Sequence, residues 1–250
     1  MKRWFAALAA SLIAGSAFAQ AYPSKPIKFV VPFPPGGNLD FVARTLQPKM
    51  QEVLGQPVLI DNKGGAAGMI GLEFASKQPG DGYTIVLGNT GTIAINQSVY
   101  PKMTYDAVKD FVAIGITTTN ALMATIAGNV PAANLQEFIA LAKKNPGKLT
   151  YATPGTGTAM HLSDELLKSQ AGIDIVHVPY KGGAPAYPDV ISGRVALQIR
   201  PMSASMPNIK AGKVKLLAIT SPQRAPTVPD VPTVAETLPG FSVLSISGVV

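Results

Sequence analysis

Twice in this chain a short strand-forming run enters a turn of prolines and glycines and leaves it as a helix. The first passage is Ile27-Lys28-Phe29-Val30-Val31, then Pro32-Phe33-Pro34-Pro35-Gly36-Gly37, then a helix starting near Asn38. The second is Lys148-Leu149-Thr150-Tyr151-Ala152, then Thr153-Pro154-Gly155-Thr156-Gly157-Thr158, then a helix over about 159–170. A strand that leads into a helix usually returns as a parallel neighbour, because parallel strands need a long crossover. Further strands are expected at 58–60, 83–87, 173–178, 195–200, 214–219 and 241–250, and helices at 68–77, 135–144 and 184–192. Alternation of this kind predicts a largely parallel α/β fold. The repeated passage, alike in chemistry and not in letters, predicts two such lobes, each presenting one Gly-rich turn.

Local signals refine the elements. Asn38 and Asn134 are placed as N-caps, with Asp40 in the first turn of its helix. Pro48 falls inside the apolar face of the first helix, so a kink or break is expected there. Ser221 to Pro239 holds five prolines and reads as an irregular crossing segment. The uncharged stretch 111–136 is broken by Thr117, Thr118, Thr119, Asn120, Asn129, Pro131 and Asn134. It therefore reads as a buried strand between polar turns and not as a membrane span.

Residues 1–19 have the layout of a secretory signal peptide: Lys2 and Arg3, an apolar run from Trp4 to Gly15, and Ala17-Phe18-Ala19 as the cleavage site. Its removal takes two of the seven net positive charges. The chain is then exported and soluble, with a periplasmic destination. No cysteine is present, which excludes disulfides, lipid tethering at cysteine, thiolate metal sites and cysteine nucleophiles. Two histidines are too few for a His-rich metal centre, and no metal or cofactor is called for.

Gly-rich strand-to-helix turns leave backbone N–H groups free beside the partial positive charge of a helix N-terminus, which makes an anion site. In open α/β sheets such turns lie at the carboxyl ends of the strands, where ligands bind. Two of them facing one cleft suit a small carboxylate. About four charge-assisted hydrogen bonds at ~1.5–3 kcal/mol each support micromolar binding, about −8 kcal/mol. Nucleotide motifs are absent, since Met160 stands where G-x-G-x-x-G needs its third glycine and no P-loop occurs. His161, Ser163 and Asp164 have the composition of a catalytic triad but sit within one helical turn, without a nucleophile elbow. Asp164 and Glu165 read as solvated helix acids, His177 as a satisfied core residue, and His161 either as a cleft-facing donor or as a cap for its own helix. A nonenzymatic protein is expected. Lysines are scattered singly, without interleaved aromatics, so nucleic acid is not an expected partner.

The chain resembles the solute-binding proteins of tripartite tricarboxylate transporters, the Bug family, in a series of segments in one order. They are Tyr22-Pro23-Ser24-Lys25-Pro26-Ile27, Val31 to Gly37, Leu54-Gly55-Gln56-Pro57-Val58, Gly80-Asp81-Gly82-Tyr83-Thr84, Asn145 to Tyr151, Val176 to Gly182 and Pro229 to Glu236. The resemblance implies a two-lobed extracytoplasmic binding protein that closes on a small organic carboxylate and hands it to membrane transporter subunits. A periplasmic sensor partner of a kinase is the alternative, with an enzyme acting on a carboxylate behind it. A monomer is expected. Lobe 1 is placed at 22–120 with the returning strand 241–250, and lobe 2 at 121–240 with the crossing segment 221–240.

Carried over residue by residue, the resemblance places the ligand among Phe33, Pro35, Gly36, Gly37 and Asn38 of the first turn and Thr153, Gly155, Gly157 and Thr158 of the second. Asn89, Thr90, Tyr180 and Lys181 complete the wall, with His161 and Arg200 as further candidates. Two positions depart from the family pattern. Leu39 replaces a small hydroxyl residue, and Arg200-Pro201-Met202 stands where relatives often carry Phe-Asp-Asn. An Asp there suits an amine, whereas Arg200 suits a second carboxylate, so a dicarboxylate or aromatic carboxylate is expected. Relatives also continue past the strand that begins at Phe241, so the first lobe is expected to be incomplete and underpacked at its C-terminal side.

Overall fold

The computed structural model describes residues 22–250, and the signal-peptide segment 1–19 lies outside them. In lobe 1, β1 (Ile27–Val31) lies between β2 (Val58–Asn62) and β3 (Thr84–Asn89), all parallel. Phe29, Val31, Ile85 and Leu87 face α1 (Asn38–Leu54), while Val30 and Val86 face the opposite way, toward Leu72 of α2 (Met69–Ser76) and Tyr105. Successive strand side chains point to opposite faces, so a sheet covered on both sides needs the near-continuous apolar runs this sequence carries.

Lobe 2 repeats the plan. Strand β5 (Thr150–Thr153) pairs in parallel with β6 (Val176–Pro179) and β7 (Leu197–Pro201). One face packs Leu122, Tyr151, Leu197 and Ile199 against Phe138 of α4 (Leu135–Lys144) and Leu167 of α5 (Ala159–Ala171). The other packs Ala152 and Val195 against Ala186 and Val190 of α6 (Gly183–Ile191).

The lobes share one strand. In β4 (Gly115–Ala127), residues 115–121 pair antiparallel with β9 (Leu244–Val249), while residues 122–127 pair with β7 and with β8 (Val214–Ile219). Strand β9 also pairs antiparallel with β3, so it is flanked on both sides, and Ser245, Ser247 and Val249 are buried. The parallel core of each lobe is thus joined by antiparallel crossing strands, giving a mixed sheet in the two-lobed arrangement.

Several boundaries differ from the sequence reading. Gly37, not Asn38, is the N-cap of α1, and it makes no side-chain capping bond. Helix α1 runs through Pro48 without a break. Proline there removes the bond to the Arg44 carbonyl, but both residues are exposed, and water can take the freed acceptor. After β3 come a π-turn, Gly91–Ile95, and the short α3 (Asn96–Val99); α7 (Met202–Lys210) follows β7. Neither has a sequence signal, and α7 carries Pro207 inside it. Asn134 does cap α4, its side chain accepting the Glu137 N–H.

Thr220, fully buried, ties the crossing together. Its hydroxyl accepts the Leu122 N–H at 2.8 Å and donates to the Val243 carbonyl at 2.7 Å. Thr220→Val keeps the shape and leaves the buried Leu122 N–H and the half-buried Val243 carbonyl without this partner. Urea unfolding should show a loss of about 1–3 kcal/mol.

Candidate functional site

The first turn is held from behind by Asp40, 3% exposed. One carboxylate oxygen accepts the Gly36 N–H and Arg44 Nε, both at 2.9 Å, and the other accepts Asn62 Nδ2 at 3.0 Å. Burial alone would raise the Asp40 pKa; the hydrogen bonds from Arg44, Gly36 and Asn62 outweigh it and lower the value. Asn62 also donates to the Phe33 carbonyl, so β2 fixes the turn's start as well as its end. With Gly36 committed to Asp40, the amides of Asn38, Leu39 and Asp40 have no hydrogen-bond partner among the described residues.

The second turn caps itself. Thr158 accepts the His161 N–H and donates to the Gly155 carbonyl at 2.8 Å. Gly155 and Gly157 lie at φ +138° and +84°, where a side chain is strained. His161 Nδ1 accepts the Gly157 N–H at 3.3 Å, so His161 serves its own turn. Its ring lies 4.5 Å from that of His177, whose Nε2 meets the Thr153 hydroxyl at 2.6 Å. Burial lowers both imidazole pKa values, that of His177 to about 4 with help from His161, so both rings are neutral at pH 7. The amides of Ala159 and Met160 are left free among the described residues.

The two helix starts meet. A cavity of about 40 Å³ between the lobes is lined by Phe33, Gly37, Asn38, Asn89, Thr158 and Arg200 of the expected residues. Leu39, Met160, Ala204 and Ser245 line it too. A second cavity, about 210 Å³, lies beyond Phe33 and Pro154 and takes in Gly155, Tyr180 and Lys181. It is faced by Ala66 and Ala67, alanines at φ +47° and +52°, which the sequence analysis did not single out. Pro35, Gly36, Thr90, Thr153, Gly157 and His161 line neither cavity. Thr90 instead holds β9, accepting the Ile246 N–H at 3.0 Å. Across the cleft, Ser203 donates to Asn38 Oδ1 at 2.7 Å and Tyr100 to the Thr156 carbonyl at 2.6 Å.

No triad forms. The Ser163 hydroxyl is spent on the Ala159 carbonyl of its own helix. Asp164 is not solvated: it is fully buried, neither carboxyl oxygen has a partner, and burial pushes its pKa well above 3.8. Glu165, by contrast, is hydrogen-bonded by Tyr151 and Lys168. Among the described residues no group of three or more His, Asp or Glu could hold a metal, and no helix is long and apolar enough to cross a membrane.

Residues 42–250 match the family model described as the tripartite tricarboxylate transporter family receptor. The chain belongs to this family. Protein BugT of Bordetella pertussis is 36% identical over 230 residues, covering 92% of this chain and 71% of BugT. An R. palustris protein solved with adipate superposes with a TM-score of 0.89 at 36% identity, covering 91% of this chain and 77% of that one. MatC from Rhodopseudomonas palustris, with bound malate, gives 0.86 at 32%, covering 91% and 78%. The membership is to the Bug group of receptors, a family of periplasmic solute-binding proteins.

Two variants probe the buried acids. Asp40→Ala leaves the Gly36 amide and Asn62 without their acceptor and should cost about 2–3 kcal/mol in urea unfolding. Asp164→Asn should act in the opposite sense. The native carboxyl holds its proton while the unfolded one ionises above about pH 3.8, so burial destabilises increasingly as pH rises. The melting temperature of Asp164→Asn should therefore exceed the parent's at pH 7, and the gap should close toward pH 4.

Proposed function

We propose that this protein is an extracytoplasmic receptor that captures a small organic carboxylate between its lobes and delivers it to the membrane subunits of a tripartite tricarboxylate transporter. One observation carries the reading: two helix N-termini, one from each lobe, present unpaired amides toward a single cavity. Amide dipoles so arranged favour an anion without any bound cation. The relatives solved with adipate and malate support a carboxylate as the cargo. Phe33, Gly37, Asn38 and Leu39 take it from lobe 1, and Thr158, Met160 and Arg200 from lobe 2. The outer cavity, with Tyr180 and Lys181, forms the approach.

A cavity of about 40 Å³ holds only a few water molecules. Entry of an organic acid therefore requires the lobes to part about β4 and β9, breaking the Asn38–Ser203 and Tyr100–Thr156 bridges. Bridges of this kind are solvent-exposed and individually weak, about 1 kcal/mol each, which suits contacts that must break and reform.

The test is a thermal-shift and calorimetric screen of the protein against mono-, di-, tri- and aromatic carboxylates. Binding should raise the melting temperature with dose, by RT ln(1 + [L]/Kd) in stability, and should leave the ligand chemically unchanged. Absence of binding across the panel, or turnover of any member, would overturn the reading.

A further inference from the structure

Arg200 occupies an unusual position for a charged side chain. Along β7, Leu197 and Ile199 face the α4–α5 core, so Gln198 and Arg200 point to the other side. Arg200 is only 6% exposed. Its guanidinium lies over the Tyr187 ring, with Cζ 4.0 Å from the ring centroid. Nε and Nη1 make no hydrogen bond, and no carboxylate stands close enough to influence the group. Both polar side-chain atoms of Gln198 are likewise buried and unpartnered. The side chain also lines the cavity between the lobes, across from the starts of α1 and α5.

An arginine does not shed its proton to escape burial, so the charge persists. A buried charge without a partner is among the more destabilising features a fold can carry, and such groups are ordinarily paired. The stacking on Tyr187 offsets only part of that, since a desolvated cation–π contact contributes about 2 kcal/mol. Within lobe 2 the guanidinium engages Tyr187 but meets no anion. The cavity presents neutral amide donors where the helices start and a guanidinium where β7 ends, two separate anion-seeking surfaces with apolar Leu39, Met160 and Ala204 among the lining. One carboxylate satisfies only one of them.

We propose that Arg200, backed by Tyr187, is the specificity-determining residue of this receptor and selects dicarboxylates by binding the second carboxylate of an acid whose first is held by the two turns. The inference rests on the carboxylate-receptor reading of the site. It sharpens that reading from an anion of unspecified charge to a dianion.

The experiment compares chain-matched pairs by calorimetry: succinate with butyrate, and adipate with hexanoate. The parent protein should bind at least one dicarboxylate tenfold or more tightly than its monocarboxylate counterpart, the equivalent of one charge-assisted hydrogen bond or more. Arg200→Met, which keeps the stem and removes the charge, should bring the two members of that pair to within about threefold. Arg200→Lys should retain part of the preference. The ligand-free melting temperature of Arg200→Met should equal or exceed the parent's, because an unpaired buried charge has gone. That readout separates ligand selection from a structural role, in which Arg200→Met would melt lower.

If carboxylates bind but the dicarboxylate preference is absent in the parent, or survives unchanged in Arg200→Met, Arg200 is not the selector and the receptor reading stands. If Arg200→Met melts well below the parent, the arginine is structural and the proposal falls. If no carboxylate of the set binds, the receptor reading falls and this inference with it.

Discussion

The backbone pairing of β4 is the constraint on which the two-lobed arrangement depends. Its first seven residues complete the sheet of lobe 1 through β9, and its last six are gripped on both edges by β7 and β8. A buried strand must satisfy every amide and carbonyl it carries, so neither lobe can shed β4 without exposing an edge. The change of partner between Ala121 and Leu122 is the place where pairing is least regular, and there a side chain, Thr220, substitutes for a missing strand neighbour. Register shifts in β4 flank this point, between Ile116 and Thr118 on β9 and between Ala124 and Thr125 on β8. Twist concentrates at such irregularities. On the proposed function, these irregularities are where a hinge between the two parallel cores would sit.

Three buried charged residues are treated in three ways, and the contrast separates structure from function. Asp40 is fully satisfied, by a backbone amide, an arginine and an asparagine from a neighbouring strand, and what it holds in shape is the first turn. Asp164 has no partner and no cavity, so the cheapest state is the neutral acid, and its effect is confined to stability. Arg200 has no partner either, but it cannot neutralise itself and it opens onto the cleft. Only the last combination leaves a strong, unused interaction facing the cleft between the lobes.

Much of this was legible in the chain. Both Pro/Gly turns stood out because left-handed glycines and proline-fixed φ values leave a plain mark at a strand end, and the apolar runs of β1 and β3 marked strands covered on both faces. Asn134 announced α4 through its cap. What escaped was non-local. The exchange of partners along β4 depends on β7, β8 and β9, far along the chain, and the stretch 115–120 carries four polar residues that gave no hint of a crossing strand. Asp164 has the letters of a solvated helix acid, and only packing against lobe 2 reveals that it faces inward. Helix α7 contains Pro207 and lacks an apolar repeat, so it forms through its place after β7 and not through propensity. Within the site, Gly36 and His161 belong to the turns chemically, yet their polar groups are consumed in shaping them: Gly36 by Asp40, His161 by Gly157.

If the protein hands on its cargo as proposed, it has to hold and to release, and the division of donors between the lobes bears on both. The free amides of α1 belong to lobe 1; those of α5, together with Arg200, belong to lobe 2. Neither set surrounds an anion by itself. Parting the lobes about β4 would remove one set from reach, and losing about two charge-assisted bonds at ~1.5–3 kcal/mol each weakens binding by roughly two to four orders of magnitude. On the proposed function, affinity then depends on the hinge angle as well as on the chemistry of either wall. With amide dipoles in both lobes and the buried guanidinium of Arg200 in lobe 2, the proposed function makes closure the step that completes recognition, and opening the step that undoes it.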